Sequence, residues 1–323
     1  MAATLDRTAA TSKIERLNTA SLRRVIEPET EILGEIGDGQ VLPDHLLSVA
    51  GLPDVMAKLS AEDKRRLSRE EIASITENGL RFESILMAGF AFECSVAPDL
   101  ADARVTYMLH EIGEETRHSR LFARMLRMLQ PTAKNPMRNK VLAKLERFGT
   151  MQIIKRPPLL YVLVLGGEEI PDLFQKLAMD DEQTDPFIRD VNRYHRMEEA
   201  RHLAYARTML AERWAEATWT DRIAVRVVAP RIIAGMFDTL VHPGVYATVG
   251  LPAWKTWRAV GRSDNRVAVR HEATRPIVKA LLETGVFAPG KVPSAWRTLA
   301  GVDAAGVAAP GAPTRLVAVA TGG

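Results

Sequence analysis

Apolar residues recur at intervals of three and four along most of the chain, which is the spacing of one face of an α-helix. Prolines and capping residues mark where one such segment ends and the next begins. The pattern predicts helices over residues 68–97, 101–129, 133–154, 159–178 and 186–215, and further helices near 219–240 and 266–284. Strand-like alternation does not persist anywhere, and hairpin signals with flanking strands are missing. The sequence therefore predicts an all-α protein.

Four long helices among the five predicted segments between residues 68 and 215 suit an antiparallel helical bundle, and the helices after residue 215 are predicted to lie C-terminal to that core. We expect the first of the four to begin at a capping box formed by Ser68 and Glu71. A segment at 242–263, rich in Pro, Gly and Trp, is predicted to be a loop.

The two ends of the chain differ in composition from the middle. Residues 1–20 are rich in Ala and Thr and predict a flexible N-terminal arm. Residues 303–323 contain mainly Ala, Gly, Pro, Val and Thr and predict a disordered C-terminal tail. Residues 21–300 are predicted to form a single helical domain.

Composition limits the classes of function. The net charge of +3 is too small, and the basic residues too interleaved with acids, to indicate a nucleic-acid partner. A single cysteine, Cys94, excludes cysteine-rich zinc and iron–sulfur sites. The longest apolar run, 158–167, is about half of a membrane span, and the N-terminus lacks a secretory signal. We therefore expect a cytoplasmic protein without a transmembrane segment.

One helical stretch carries metal-binding residue types at metal-binding spacing. His195, Glu199 and His202 follow one another at steps of four and three, which places them on one face of a helix. A second pair, Glu115 and His118, has the same Glu-x-x-His spacing about eighty residues upstream. Both sets lie in rows with apolar residues and are predicted to face the bundle core.

Helix phase separates the remaining charged residues. Glu83 falls in the apolar row of the first long helix and is predicted to face inward. The neighbours Glu114, Arg117, Glu198 and Arg201 are predicted to turn away from the core. We therefore interpret these four residues as bystanders that do not bind the metal.

The helix at residues 159–178 leaves an alternative open. Its phase slightly favours Glu169 over Glu168 as the inward residue. However, Gly166, Gly167 and Pro171 predict a local irregularity, such as a π-bulge, which would reset the phase. From the residues alone, either glutamate can be the fourth inward carboxylate.

Burying these groups without a cation would be unfavourable. An unpaired buried carboxylate costs several kcal/mol, and four together repel one another. Four carboxylates balance the charge of two divalent ions. Oxygen ligands with imidazole and without thiolate suit iron, with manganese as the alternative metal. The Glu and Glu-x-x-His arrangement is that of ferritin-like dinuclear bundles, which indicates a two-metal centre that reacts with O2.

These residues resemble those of a known family, the non-haem diiron N-oxygenases typified by the p-aminobenzoate N-oxygenase AurF. The resemblance covers roughly residues 60–215, and more loosely extends to about 290. Its distinguishing feature is a third histidine one turn before the last Glu-x-x-His, a position that His195 fills. The family's glutamate on the preceding helix lies about 27 residues before that histidine, which selects Glu168. The implied ligands are Glu83, Glu115, His118, Glu168, His195, Glu199 and His202.

The resemblance implies an O2-dependent monooxygenase that oxidises an arylamine through a diiron-peroxo species. It also implies a homodimer. Because no nucleotide- or flavin-binding motif is evident in the sequence, we expect an external electron donor or reductase. Two other functions stay open on the sequence alone. One is a diiron hydroxylase or desaturase of an acyl or aliphatic substrate, and the other is a non-enzymatic ferritin-like iron-binding protein.

Overall fold

The structure is a computed structural model, and it describes residues 7–316. Fourteen α-helices occur in that range: α1 (Arg7–Arg23), α2 (Pro28–Glu31), α3 (Pro53–Met56), α4 (Ala61–Ser95), α5 (Ala103–Leu129), α6 (Lys140–Ile154), α7 (Pro157–Asp180), α8 (Pro186–Ala215), α9 (Trp219–Ile223), α10 (Ala229–Thr239), α11 (Pro243–Ala247), α12 (Ala253–Arg262), α13 (Asp264–Glu283) and α14 (Ser294–Ala300). Among the residues described, the sole β-contact is an isolated bridge between Val302 and Ala308. The all-α prediction is confirmed.

The bundle is built from two helix pairs, α4 with α5 and α7 with α8. Short connections join the partners of each pair, so the partners run antiparallel. Helix α13 packs on α7, and α1 packs on α5. No helix in the described part of the chain is both long and apolar enough to cross a membrane.

Two apolar clusters fill the bundle at different levels along its axis. One cluster contains Phe90, Met108 and Met209, and the other contains Leu121 and Val191. On α4, α5 and α8 the candidate ligands lie in sequence between the residues of these two clusters. The candidate site is therefore at mid-height of the bundle, with apolar packing above and below it.

Helix α4 begins earlier than the sequence pattern predicted. The capping box is formed by Ser60 and Asp63, and the predicted pair, Ser68 and Glu71, lies inside the helix. The Ser68 hydroxyl accepts a hydrogen bond from the Val41 amide at 3.1 Å. Both pairs have the spacing of a capping box, but Ser68 of the second pair contacts the loop that precedes the helix.

The prediction of a flexible arm at residues 1–20 is wrong for residues 7–20, which belong to helix α1. Ile14 is fully buried in the core, and the Asn18 side chain donates a hydrogen bond to the Ala103 carbonyl at 2.9 Å. The Ala- and Thr-rich composition did not predict this helix, because tertiary contacts stabilise it. Residues 1–6 lie outside the described range.

The prediction of a disordered tail at 303–323 is also wrong as far as the structure describes it. Residues 303–316 are irregular but tied to α13, because Leu316 donates its amide to Asn265 at 2.8 Å and Arg315 pairs with Glu272 at 3.1 Å. Residues 317–323 lie outside the described range.

Two further local predictions are corrected. The predicted loop at 242–263 contains α11 and α12, which begin beside Pro243 and Pro252. Proline fits the first turn of a helix, so here it starts helices rather than prevents them. Helix α7 is regular through Pro171, without the predicted bulge. The π-helical stretch of the described chain is instead Ala224–Val228.

Candidate metal centre

The seven predicted ligands come from all four bundle helices. Helix α4 carries Glu83 and α7 carries Glu168, whereas α5 and α8 each carry a Glu-x-x-His. Each of the seven residues is buried, with an exposed fraction of 4% or less. The steps of three and four residues on α5 and α8 place the side chains over successive turns of one helix face.

The structure brings six of the seven into groups whose ligand atoms lie within 4.8 Å of one another. These groups are Glu83 with His118 and His195, Glu115 with His118 and Glu199, and Glu111 with Glu115 and His202. Because Glu115 and His118 each occur in two groups, the groups merge into one continuous cluster. Glu111, absent from the sequence prediction, is part of it.

The imidazoles of His118 and His202 present the same nitrogen to the cluster. The Nδ1 atom of His118 lies 3.2 Å from Glu115 Oε2, and the Nδ1 atom of His202 lies 2.9 Å from Glu199 Oε2. His195 instead presents Nε2, which lies 3.4 Å from Glu83 Oε1 and 3.5 Å from Glu199 Oε1. Phe122 stacks on the His195 ring at 5.2 Å between centroids and fixes its plane. Each imidazole thus presents one defined nitrogen to the cluster.

The outer nitrogens of His118 and His202 are held by residues that the sequence analysis set aside. His118 Nε2 lies 3.0 Å from Glu198 Oε2, and His202 Nε2 lies 2.7 Å from Glu114 Oε2. With Nδ1 turned to a metal, Nε2 carries the proton and donates to the carboxylate. The prediction that Glu114 and Glu198 turn away as bystanders is therefore wrong, since both are buried and each contacts the imidazole of a candidate ligand.

Arginines complete this outer layer. Arg117 approaches Glu198 at 3.3 Å, and Arg201 approaches Glu114 at 2.9 Å. Arg117 and Arg201 do face away from the cluster, as predicted, but they neutralise the two carboxylates that hold the imidazoles. The contacts are reciprocal, because the outer glutamate of α5 holds the histidine of α8 and the outer glutamate of α8 holds the histidine of α5.

Replacing an outer carboxylate should weaken metal binding without removing a ligand. We expect Glu198→Gln and Glu114→Gln each to lower metal affinity by roughly 10–100-fold, because a neutral amide holds the imidazole tautomer less firmly. Titration with Mn(II) followed by electron paramagnetic resonance measures this change. Glu212→Gln, whose carboxylate pairs with Arg104 at 2.5 Å, is the control and should bind metal normally. Unchanged affinity in both outer variants would contradict an orienting role.

Protonation compensates charge in the metal-free cluster. Burial alone would lower the pKa of His118, but hydrogen bonds to Glu115 and Glu198 outweigh it and raise that pKa to about 10. Burial raises the pKa of Glu83 to about 7. The metal-free site therefore binds protons on imidazole and carboxylate groups. These protons supply positive charge that bound metal ions would otherwise supply.

Glu168 and Glu169 have different surroundings. Glu168 is buried, and burial first, then the charges of Glu199 and Glu115, raises its pKa well above the ordinary value. Glu169 forms an ion pair with Arg207 at 2.5 Å. Of the two, Glu168 is thus the carboxylate beside the cluster, although it belongs to none of the three tight groups.

The residues present fit a pair of metal ions. Both carboxylate oxygens of Glu111 are buried without a hydrogen bond in the structure. Buried polar atoms are normally satisfied, so unsatisfied oxygens in a cluster of carboxylates and imidazoles indicate a missing cation. Oxygen and nitrogen donors without sulfur are those of iron and manganese sites.

A cavity of about 440 Å³ reaches the cluster from one side. Glu83, Glu168 and His195 are part of its wall, whereas the rest of the wall is mainly apolar and comes from α4, α5, α6, α7, α8 and α10. A molecule in this cavity would meet the cluster beside His195 and would lie against a mainly apolar wall.

A family model described as P-aminobenzoate N-oxygenase AurF matches residues 7–285. The chain belongs to this AurF family. Similar curated proteins include the uncharacterized proteins Rv0885 of Mycobacterium tuberculosis and Mb0909 of Mycobacterium bovis. Each is 25% identical over 235 residues, which cover 70% of this chain and 68% of the relative.

A solved structure also resembles the chain, namely a point mutant of an R2-like ligand-binding oxidase with an anaerobically reconstituted Mn/Fe cofactor. The TM-score is 0.48 with 14% identity, over 88% of this chain and 96% of that one.

Membership of the AurF family confirms the coarse prediction from the sequence. The chain is an oxidoreductase, a diiron oxygenase with a ferritin-like helical bundle. Family membership also confirms the predicted diiron cofactor, and O2 as co-substrate is consistent with it.

Proposed function

We propose that this AurF-family chain catalyses N-oxygenation of an arylamine, with Glu83, Glu115, His118, Glu168, His195, Glu199 and His202 as the metal ligands. The observation that carries the proposal is the position of His195. This third histidine belongs both to a tight ligand group and to the wall of the apolar cavity. It therefore stands where substrate and metal centre meet.

The first oxidation takes an amine, O2, two electrons and two protons to a hydroxylamine and water. When bound, the iron pair would supply O2 activation. The chain's own residues hold the ligands, exclude water and position the amine. Phe122 and Val191 line the cavity close to His195, and their apolar side chains would favour an aromatic ring over water. We also propose that a separate reductase or small reductant delivers the electrons.

The direct test is turnover by the reconstituted protein. Iron-loaded protein, a chemical reductant and ¹⁸O2 are mixed with a panel of aminobenzoates and anilines, and products are identified by mass spectrometry. We expect ¹⁸O on nitrogen in hydroxylamine, nitroso or nitro products. Consumption of O2 without an N-oxygenated product across the panel would contradict the proposal.

A cavity-filling substitution tests where the substrate binds. Gly149 of α6 is part of the cavity wall, and a Cβ atom there would meet nothing within 4 Å. We expect Gly149→Phe to keep two irons but to raise KM or abolish arylamine turnover, because the ring occupies substrate space. Gly235→Phe is the matched control, since Gly235 has equal room for a Cβ and is not part of the cavity wall. Full activity of Gly149→Phe would place the substrate elsewhere.

A second candidate function is hydroxylation or desaturation of an acyl or aliphatic substrate. The size and apolar wall of the cavity support it, because they suit an alkyl chain as well as a ring. Fatty acids and acyl thioesters therefore belong in the same ¹⁸O2 panel. Oxidised carbon with no oxidised nitrogen would select this function over N-oxygenation.

A further inference from the structure

Glu111 is a buried carboxylate that the seven-ligand assignment leaves unused. It lies on α5, one helical turn before Glu115, and its side chain is fully buried. Neither of its carboxylate oxygens forms a hydrogen bond in the structure. A buried, ionised carboxylate without a hydrogen bond destabilises the folded state unless a cation binds it.

Other buried glutamates on the bundle helices have partners. Glu71 accepts hydrogen bonds from the Ser48 amide at 2.9 Å and from the Ser48 hydroxyl at 2.6 Å. Glu93 accepts from Arg213 at 2.8 Å. Glu111 differs from these structural carboxylates, so a role in packing alone does not account for it.

The position of Glu111 points to the cation that would satisfy it. An oxygen of Glu111 lies within 4.8 Å of ligand atoms of both Glu115 and His202. On α5, Glu111 precedes Glu115 by four residues, so the two carboxylates project from adjacent turns of the same face. We propose that Glu111 is an eighth protein ligand of the metal centre and binds the ion held by Glu115 and His202.

This assignment makes the two metal positions chemically different. One position is surrounded by Glu83, His118 and His195, with two imidazoles. The other gains Glu111 beside Glu115 and His202 and is richer in carboxylate. Carboxylate oxygen is the harder ligand and carries charge, so the second position should favour the harder or more highly charged metal ion.

The cavity supports a binding role rather than a substrate role for Glu111. Glu83, Glu168 and His195 form part of the cavity wall, and Glu111 does not. A molecule in the cavity therefore meets the cluster through other residues. Glu111 is placed to hold a metal ion from the side of the cluster that the cavity does not reach.

The test is metal binding by full-length Glu111→Gln, with Glu71→Gln as the control for loss of a buried carboxylate. Co(II) titration followed by visible absorption, together with metal analysis, resolves the two positions without any substrate. We expect Glu111→Gln to lose at least about tenfold in affinity at one position. The other position and both positions of Glu71→Gln should stay within twofold of the wild type.

Thermal melting separates a ligand role from misfolding. Metal-free Glu111→Gln should melt no lower than metal-free wild type, because it removes an unpaired buried carboxylate. Metal-loaded Glu111→Gln should melt lower than metal-loaded wild type. Two unchanged Co(II) affinities and an unchanged Co(II) spectrum would overturn the proposal. Because the test needs no turnover, it stands or falls separately from arylamine N-oxygenation.

Discussion

Saturating the metal-free chain with Fe(II) under anaerobic conditions should load two ions and raise its melting temperature by roughly 5–10 °C. The expected rise follows from mass action, because a ligand present at a thousand times its dissociation constant stabilises the folded state by about 4 kcal/mol. The effect should be large here because Glu111, Glu115 and Glu199 lie close together and buried, with little solvent to screen their repulsion.

Scanning calorimetry with metal analysis measures both quantities on the same sample. Mn(II) should also stabilise the chain, whereas Mg(II), which keeps its waters and prefers few carboxylates, should do so much less. A chelator should reverse the shift. Binding of fewer than two ions at saturating Fe(II), or an equal shift with Mg(II), would contradict a dedicated two-metal centre.

The position of the site along the chain follows from the sequence for a simple physical reason. A helix that faces a core on one side must place inward residues at steps of three and four. Glu83, Glu115 and His202 keep that phase with their apolar neighbours, and the structure buries all three. Ligand candidates could be predicted because metal ligands in a bundle obey the same periodicity as the core.

The outer carboxylates could not be predicted by that reasoning. Phase analysis assumes one buried face and one exposed face, but α5 and α8 lie between neighbours and are buried on more than one side. Glu114 and Glu198 occupy this second buried face, with exposed fractions of 3% and 1%. A signal was present nevertheless, because α5 and α8 repeat the motif Glu-Glu-x-Arg-His, with Glu114 and Glu198 as its first residues.

Helix boundaries were predicted less well because several segments satisfy the same local rule. Ser60 with Asp63 and Ser68 with Glu71 both have cap spacing, and only the packing of the preceding loop decides between them. Likewise, α1 is stabilised as a helix because Ile14 packs in the core. Local composition does not predict this tertiary contact.

Glu115→Ala is expected to be the most damaging single substitution in the centre. Glu115 belongs to two of the three ligand groups, and its two oxygens face different imidazoles, with Oε2 at 3.2 Å from His118 and Oε1 at 3.1 Å from His202. Its loss removes a donor from both metal positions. We therefore expect fewer than two ions per chain, an affinity loss greater than the roughly 10–100-fold of an outer-shell change, and no detectable turnover.

The matched control for this prediction is Glu169→Ala. Glu169 is also a buried helical glutamate, but its carboxylate pairs with Arg207 outside the cluster. This control should keep two ions and most of its activity, although exposing the partner arginine costs some stability. Metal analysis of both variants after Fe(II) loading and desalting gives the comparison. Two tightly bound ions in Glu115→Ala would show that the two metal positions are not joined through Glu115, and loss of an ion in Glu169→Ala would show that Glu169 takes part in metal binding. The cluster would then have to be divided differently between its helices.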